Sequence, residues 1–125
     1  IRFYKAAENT GAHTGYLWTS TGTLIASVSF SSETASGWQQ ATLDTPVAID
    51  ADTTYVVSYS TNGHYSATPQ GLGSEVSSGN LHALSSALSG GNGVYAYGAA
   101  GAFPGSSYNA TNYYVDVVFR PQLAA

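Results

Sequence analysis

The chain has 125 residues, enough for one domain with one core and too few for two ordinary ones. Charged residues make up 8% of it and the formal net charge is -4 with three Lys or Arg in all, so nothing offers an electrostatic footprint for nucleic acid or an anionic membrane surface. With no Cys, a disulfide scaffold, a Cys-ligated metal centre and a thiol nucleophile are excluded. Seventeen Ser, thirteen Thr and 14 Gly fill about a third of the chain and disfavour helix, while ten Tyr and two Trp supply the apolar bulk that 24 Leu, Ile, Val and Phe leave short. No apolar run approaches the ~18 residues of a membrane-spanning helix. The chain opens on Ile1 with no signal peptide, and so reads as a mature or excised piece of a larger secreted protein, folded as a single module over 1–125.

Strand signals recur at short intervals, with turn residues between them. In 1–7, Ile1 and Phe3 alternate with Arg2 and Tyr4, and 8–15 is a polar loop carrying Asn9, Gly11 and His13. A second strand over 16–19 meets a third over 23–30 across the tight turn Ser20-Thr21-Gly22, with Leu24, Ala26, Val28 and Phe30 on one face. After a loop, 38–43 reads as a fourth strand, and Pro46 restricts 47–49 to an edge or a bend. Asp50-Ala51-Asp52 is a turn, followed by a fifth strand over 53–60 with Tyr55, Val57 and Tyr59 inward. From 62 to 93 the periodicity weakens, so the expectation there is one short strand at 64–67 and apolar anchors at Leu72, Leu81 and Leu84. A strand at 94–97, a Gly/Ser/Pro loop over 98–110 with Phe103 and Tyr108, and a closing strand at 112–120 complete the chain. That last strand turns Tyr113, Val115, Val117 and Phe119 inward. Pairing of the first and last strands would bring Arg2 to Asp116; the alternative is a solvated Asp on an outer face, and an exposed pair adds only about 0 to 1 kcal/mol. The pattern is that of an all-β, antiparallel β-sandwich of seven to nine strands, jelly-roll-like, with an immunoglobulin/fibronectin-like sandwich as the alternative.

Several strings occur in an order that carries a resemblance. They are Ile1-Arg2-Phe3-Tyr4-Lys5, Asn9-Thr10-Gly11-Ala12-His13-Thr14-Gly15, Leu17-Trp18, Gly22-Thr23-Leu24-Ile25-Ala26 and Glu33-Thr34-Ala35-Ser36-Gly37-Trp38-Gln39. Thr53-Thr54-Tyr55-Val56-Val57-Ser58-Tyr59, Asn92-Gly93-Val94-Tyr95, Phe103-Pro104 and Asn112-Tyr113-Tyr114-Val115-Asp116-Val117 follow. Over nearly all of its length the chain resembles the bacterial "domain of unknown function 4082" family. That resemblance implies an extracellular accessory module, secreted or at the cell surface, in the company of immunoglobulin-like or carbohydrate-active domains. It also implies that an N-terminal strand usual in the family is missing here, which would leave a sheet edge open to self-association. Where the family often has Trp before the closing Val-Asp, this chain has Tyr114.

Catalytic chemistry has little to work with. The seven carboxylates, Glu8, Glu33, Asp44, Asp50, Asp52, Glu75 and Asp116, fall mostly in turns, and no nucleophile elbow, zinc-protease helix or phosphate loop occurs. Seventeen Ser and three His permit many Ser/His/acid combinations, which is why none of them stands out. Sugar binding suits the composition better, because saccharides offer flat C–H patches rimmed by hydroxyls, and aromatic rings beside short polar side chains match them. The ligand-binding candidates are Trp38, Asn62, His64, Tyr65, Asn92, Tyr95, Tyr97 and Tyr108, with Asn109 and Asn112 nearby. The competing assignment is core: Trp18, Tyr55, Tyr59 and Tyr113 belong there, and Trp38, Tyr65, Tyr95 and Tyr108 suit either place. His13 and His64 are weak candidates for a transition-metal site, lacking H-x-H or H-x3-H spacing, and each reads more simply as a hydrogen-bonded loop residue. Asp50 and Asp52 could offer oxygens to a structural calcium, though Asp equally suits a plain turn. No other cofactor is expected. The sequence thus points to a non-catalytic module whose partner is polysaccharide or glycan, with no nucleic acid and no membrane insertion. A structural or assembly module pairing with neighbouring subunits is the alternative.

Overall fold

The turn at 20–22 closes as a hairpin because Gly22 adopts a positive φ of 98° that other residues resist, letting its N–H donate to the Thr19 carbonyl at 3.1 Å. It joins β2 (Thr14–Thr19) to β3 (Leu24–Ser29). The computed structural model describes residues 1–50, 52–61, 64–78, 81–85, 91–97, 101–107 and 110–118, which hold ten strands and no helix. The other strands are β1 (Arg2–Lys5), β4 (Gly37–Gln40), β5 (Tyr55–Tyr59), β6 (Val76–Ser78), β7 (Leu81–Ala83), β8 (Val94–Tyr95), β9 (Ser106–Ser107) and β10 (Val115–Asp116). They form two three-stranded sheets, ordered β10-β1-β4 and β3-β2-β5, and the ribbons β6-β7 and β8-β9. Every pairing is antiparallel, so the protein is all-β and sandwich-like.

The two larger sheets meet through the inward residues of β1. Ile1 and Phe3 join Phe30 and Ala41 as the buried cluster, with Val28, Val57, Tyr59 and Val115 packed against it. Phe3 has no exposed surface; its ring stacks on Tyr59 at 4.3 Å and meets Phe30 edge-on at 4.8 Å. Gly15 is the residue that fits opposite, since a Cβ there would stand 2.9 Å from Ile1 and 3.1 Å from Phe30. Beyond β1, Ile1 and Ala41 exchange two backbone hydrogen bonds at 3.0 Å and continue the ladder with β4.

Alternation also turns Lys5 inward, and a buried polar network receives it. Lys5 Nζ lies 3.1 Å from a Glu33 carboxylate oxygen and donates to the Thr34 carbonyl at 3.1 Å. The His13 ring is sealed from solvent: Nδ1 donates to both Glu33 oxygens at 2.9 Å, and Nε2 lies 2.9 Å from Asn9 Oδ1, which also accepts from the Thr61 hydroxyl. Burial pushes the Glu33 carboxyl up, but hydrogen bonds from His13 and Lys5, together with their charges, outweigh it and hold the group below its ordinary value.

Four expectations are corrected. No strand forms at 64–67; Thr68 makes a single bridge to Asn112, and Pro69, lacking an N–H, ends it. The weakly patterned 62–93 stretch instead contains the β6-β7 ribbon, whose three-residue strands, Val-Ser-Ser and Leu-His-Ala, are too short to show a period. Leu24 is 48% exposed rather than inward, because β3 is a sheet edge and the register shifts between Leu17 and Trp18, opposite that end. Tyr113 stays half-buried among other tyrosines rather than in the central cluster. Ala51, Phe119 and Arg120 lie outside the described residues.

Two stability measurements follow from these interior groups. Glu33→Gln should lose about 3 kcal/mol in urea unfolding at neutral pH, because it leaves the Lys5 ammonium buried without its counter-charge. Glu33's lowered value stabilises the fold above the ordinary carboxyl value of 4.5 and is lost as pH falls below it, so the variant should show a flatter acid limb. The Tyr59 hydroxyl is buried with no hydrogen-bond partner among the described residues, and burial first, then proximity to Tyr65, pushes its phenol up to about 12. An acid with a raised value stabilises the fold below its ordinary 10.0 and loses that contribution between there and about 12. Tyr59→Phe should therefore match or exceed the parent at neutral pH by about 1 kcal/mol, and unfold later than the parent in an alkaline titration.

Candidate aromatic binding face

The residues of β1 that do not face the core are Arg2 and Tyr4, and the strand register gives each a neighbour on both sides. Arg2 stands opposite Asp116 and Gln40, while Tyr4 stands opposite Trp38 and donates its N–H to the Tyr114 carbonyl at 2.9 Å. Directly opposed residues share a face. The outer side of the β10-β1-β4 sheet therefore carries one polar row, Asp116, Arg2 and Gln40, beside one aromatic row, Tyr114, Tyr4 and Trp38.

Tyr4 is 42% and Trp38 48% exposed, well beyond what packing requires of such large rings. Their ring centres are 5.5 Å apart and perpendicular, and Tyr4 meets Tyr114 at 6.5 Å and 61°. The expected Arg2 to Asp116 contact is present and bidentate: Nε and one terminal nitrogen each donate at 2.8 Å to separate carboxylate oxygens. Asp116, by hydrogen bond and then by charge, raises the Arg2 guanidinium, which lies over the Trp38 ring at 5.0 Å. Tyr4, Trp38, Tyr114, Ser66 and Ala67 line a shallow groove of about 580 Å³. The Tyr114 hydroxyl bonds Thr68 Oγ1.

Of the residues singled out from sequence, Trp38 is on this face. Tyr65, Tyr95 and Tyr97 gather elsewhere with Tyr113: Tyr65 and Tyr113 at 5.3 Å, Tyr95 and Tyr97 at 5.4 Å, Tyr95 and Tyr113 at 6.5 Å. Tyr97 is 85% exposed, so this is a second aromatic surface. Burial first, then Tyr65, raises the Tyr113 phenol. Asn92 serves its own loop, donating to the Leu84 carbonyl and accepting from the Gly93 N–H, both at 2.7 Å. His64 is exposed, and Asn62, Tyr108 and Asn109 lie outside the described residues. Sequence reasoning did not place Tyr4, Tyr114 and Arg2 in a site. The available signal was the alternation of β1, which leaves Arg2 and Tyr4 outward once Phe3 is inward.

The metal candidates do not converge. Among the described residues no three His, Cys, Asp or Glu side chains could hold an ion together. Both His13 nitrogens already have partners at 2.9 Å, Nδ1 in Glu33 and Nε2 in Asn9 Oδ1, so a metal would have to displace one of them. Asp52 sits at a φ of 54° in its turn, and the Asp50 N–H donates to the Tyr55 hydroxyl at 2.9 Å. A Ser/His/acid cluster does occur on the β6-β7 ribbon, where Ser77 Oγ and a Glu75 oxygen lie 2.8 and 3.2 Å from His82. Both approach the same nitrogen, Nδ1, so the acid cannot orient one nitrogen while the other takes the serine proton.

Fold and site together define an all-β, antiparallel module with aromatic rings displayed across the outer face of one sheet. The chain belongs to the family described as Domain of unknown function (DUF4082), whose profile matches residues 1–115. No curated protein and no solved structure matches it.

The two tryptophans differ sharply in surroundings. Trp18 is 5% exposed and donates Nε1–H to Ser58 at 2.9 Å, whereas Trp38 faces solvent. Acrylamide should quench one emitter readily and the other hardly at all, and Trp38→Phe should remove the quenchable, red-shifted component. Loss of the blue component instead would contradict this placement.

Proposed function

We propose that this protein is a non-catalytic accessory module of a secreted or cell-surface bacterial protein, binding polysaccharide or glycan on the outer face of the β10-β1-β4 sheet. The observation that carries the reading is the aromatic row Tyr114, Tyr4 and Trp38, half-exposed over a groove and flanked by Arg2, Asp116 and Gln40. Ring faces pack on the C–H patches of a sugar, and the neighbouring amide and ionic groups meet its hydroxyls. The rings of this reading are Tyr4 of β1, Trp38 of β4, which the sequence had offered, and Tyr114 just before β10, while Tyr65, Tyr95 and Tyr97 form a further surface of the same chemistry.

A second reading, a structural or assembly module, is favoured by β3. This edge strand, Leu-Ile-Ala-Ser-Val-Ser, holds no charge and no proline, and Leu24 and Ile25 are 48% and 37% exposed. Concentration-dependent light scattering that vanishes in Ile25→Lys would support it.

For glycan binding, the protein is tested on insoluble-polysaccharide pull-downs and a glycan array. Retention on at least one polymer is expected, with Trp38→Ala weakening it by roughly tenfold or more, the loss of one central aromatic contact. The absence of retention on every polymer would end the proposal.

A further inference from the structure

Taking the glycan reading as its basis, we infer that the groove accepts a single, electrically neutral, soluble glycan chain, and neither a crystalline polysaccharide surface nor a polyuronate. The first ground is ring orientation. A crystalline face is flat, so rings that bind it must lie in one plane. Here Trp38 and Tyr4 are perpendicular, at 89°, and Tyr4 and Tyr114 are inclined at 61°. Rings set at such angles make a floor and walls, and a floor with walls embraces one chain from several sides while fending off a rigid plane.

Size agrees. About 580 Å³ lies inside the roughly 300 to 1,000 Å³ of small-molecule sites, so a few sugar units fit in the open groove.

Charge supplies the second ground. A polyuronate needs an uncommitted cation. Arg2, the one Lys or Arg on this face among the described residues, already spends its fork on both oxygens of Asp116, and Lys5 is sealed inside against Glu33. Among the described residues the pair leaves the face neutral, on a chain of formal charge -4, which opposes approach of a polyanion. One side of Trp38 is covered by the guanidinium, and the 48% of the residue that remains open presents the indole to the groove.

Affinity gel electrophoresis of the whole chain through hydroxyethylcellulose, galactomannan, soluble mixed-linkage β-glucan and polygalacturonate, beside pull-downs on microcrystalline cellulose and chitin, tests this. Retardation by at least one neutral soluble polymer is expected, lost by roughly tenfold or more in Trp38→Ala and retained in Trp38→Phe, with no retention on polygalacturonate or the crystalline solids. Asp116→Asn frees Arg2, and should gain retardation by polygalacturonate. Trp38-dependent binding of the parent to crystalline cellulose, chitin or polygalacturonate overturns the inference and leaves the glycan reading standing. No gain of polygalacturonate by Asp116→Asn overturns the charge argument alone, and no binding to any polymer overturns both inference and reading.

Discussion

The register of β1 between β4 and β10 fixes the inside and the outside of this protein at once. With Phe3 opposite Gln39 and Val115, the Phe3 ring reaches Phe30 and Tyr59 on the second sheet. The same pleat sends Arg2 and Tyr4 to the other side, against Asp116, Gln40 and Trp38. A slip of one residue would exchange these sets, exposing Phe3 and Lys5 and burying a guanidinium among aliphatic groups. The core and the aromatic face are therefore one constraint seen from two sides, and the fully buried Phe3 ring holds the exposed ones in place.

Two cations on this one strand illustrate how position decides the worth of an ion pair. Lys5 and Glu33 are about a tenth exposed, so their charges have left water and depend on each other and on His13. Arg2 and Asp116 are 38% and 44% exposed, and water screens them. The outer pair adds little to stability; its consequence is geometric, for Asp116 holds the guanidinium where it covers one side of Trp38. The inner network, in turn, ties the loop carrying Asn9 and His13 to the one carrying Glu33 and Thr34.

Legibility followed distance along the chain. Alternation within single strands revealed β1, β2, β3 and β5, and the idea that first and last strands pair was enough to match Arg2 with Asp116. The aromatic row was hidden, because Tyr4 meets Trp38 from 34 positions away and Tyr114 from 110, and only the register brings them together. Trp38 was ambiguous for a local reason. Its neighbour Gln39 is the inward residue, 5% exposed, its side-chain oxygen accepting from the Thr34 N–H and its amide donating to Thr34 Oγ1, so hydrophobicity points the wrong way along β4. The Lys5, Glu33, His13 network was equally hidden, since its members come from a strand and two loops and none has a periodic signal.

Tyr114 shows how the face is held ready. It adopts a φ of 57°, a left-handed conformation that costs a non-glycine residue about 1 kcal/mol or more, so surrounding bonds must impose it. They do: its N–H donates to the Asn112 side chain at 2.8 Å, its hydroxyl bonds Thr68, and Thr68 and Asn112 exchange both backbone hydrogen bonds. A ring fixed in this way has little rotamer freedom left to lose when something packs against it, and the ordering cost that usually erodes affinity at a mobile aromatic, about 0.5 to 1.5 kcal/mol per side chain, has already been met in folding. Trp38, wedged between Arg2 and Tyr4, is restrained by the same logic from the other end of the row. Strain at one end and an ion pair at the other thus keep three rings in their inclined arrangement without a ligand, and that inclination is the feature on which the choice between a single chain and a flat surface rests.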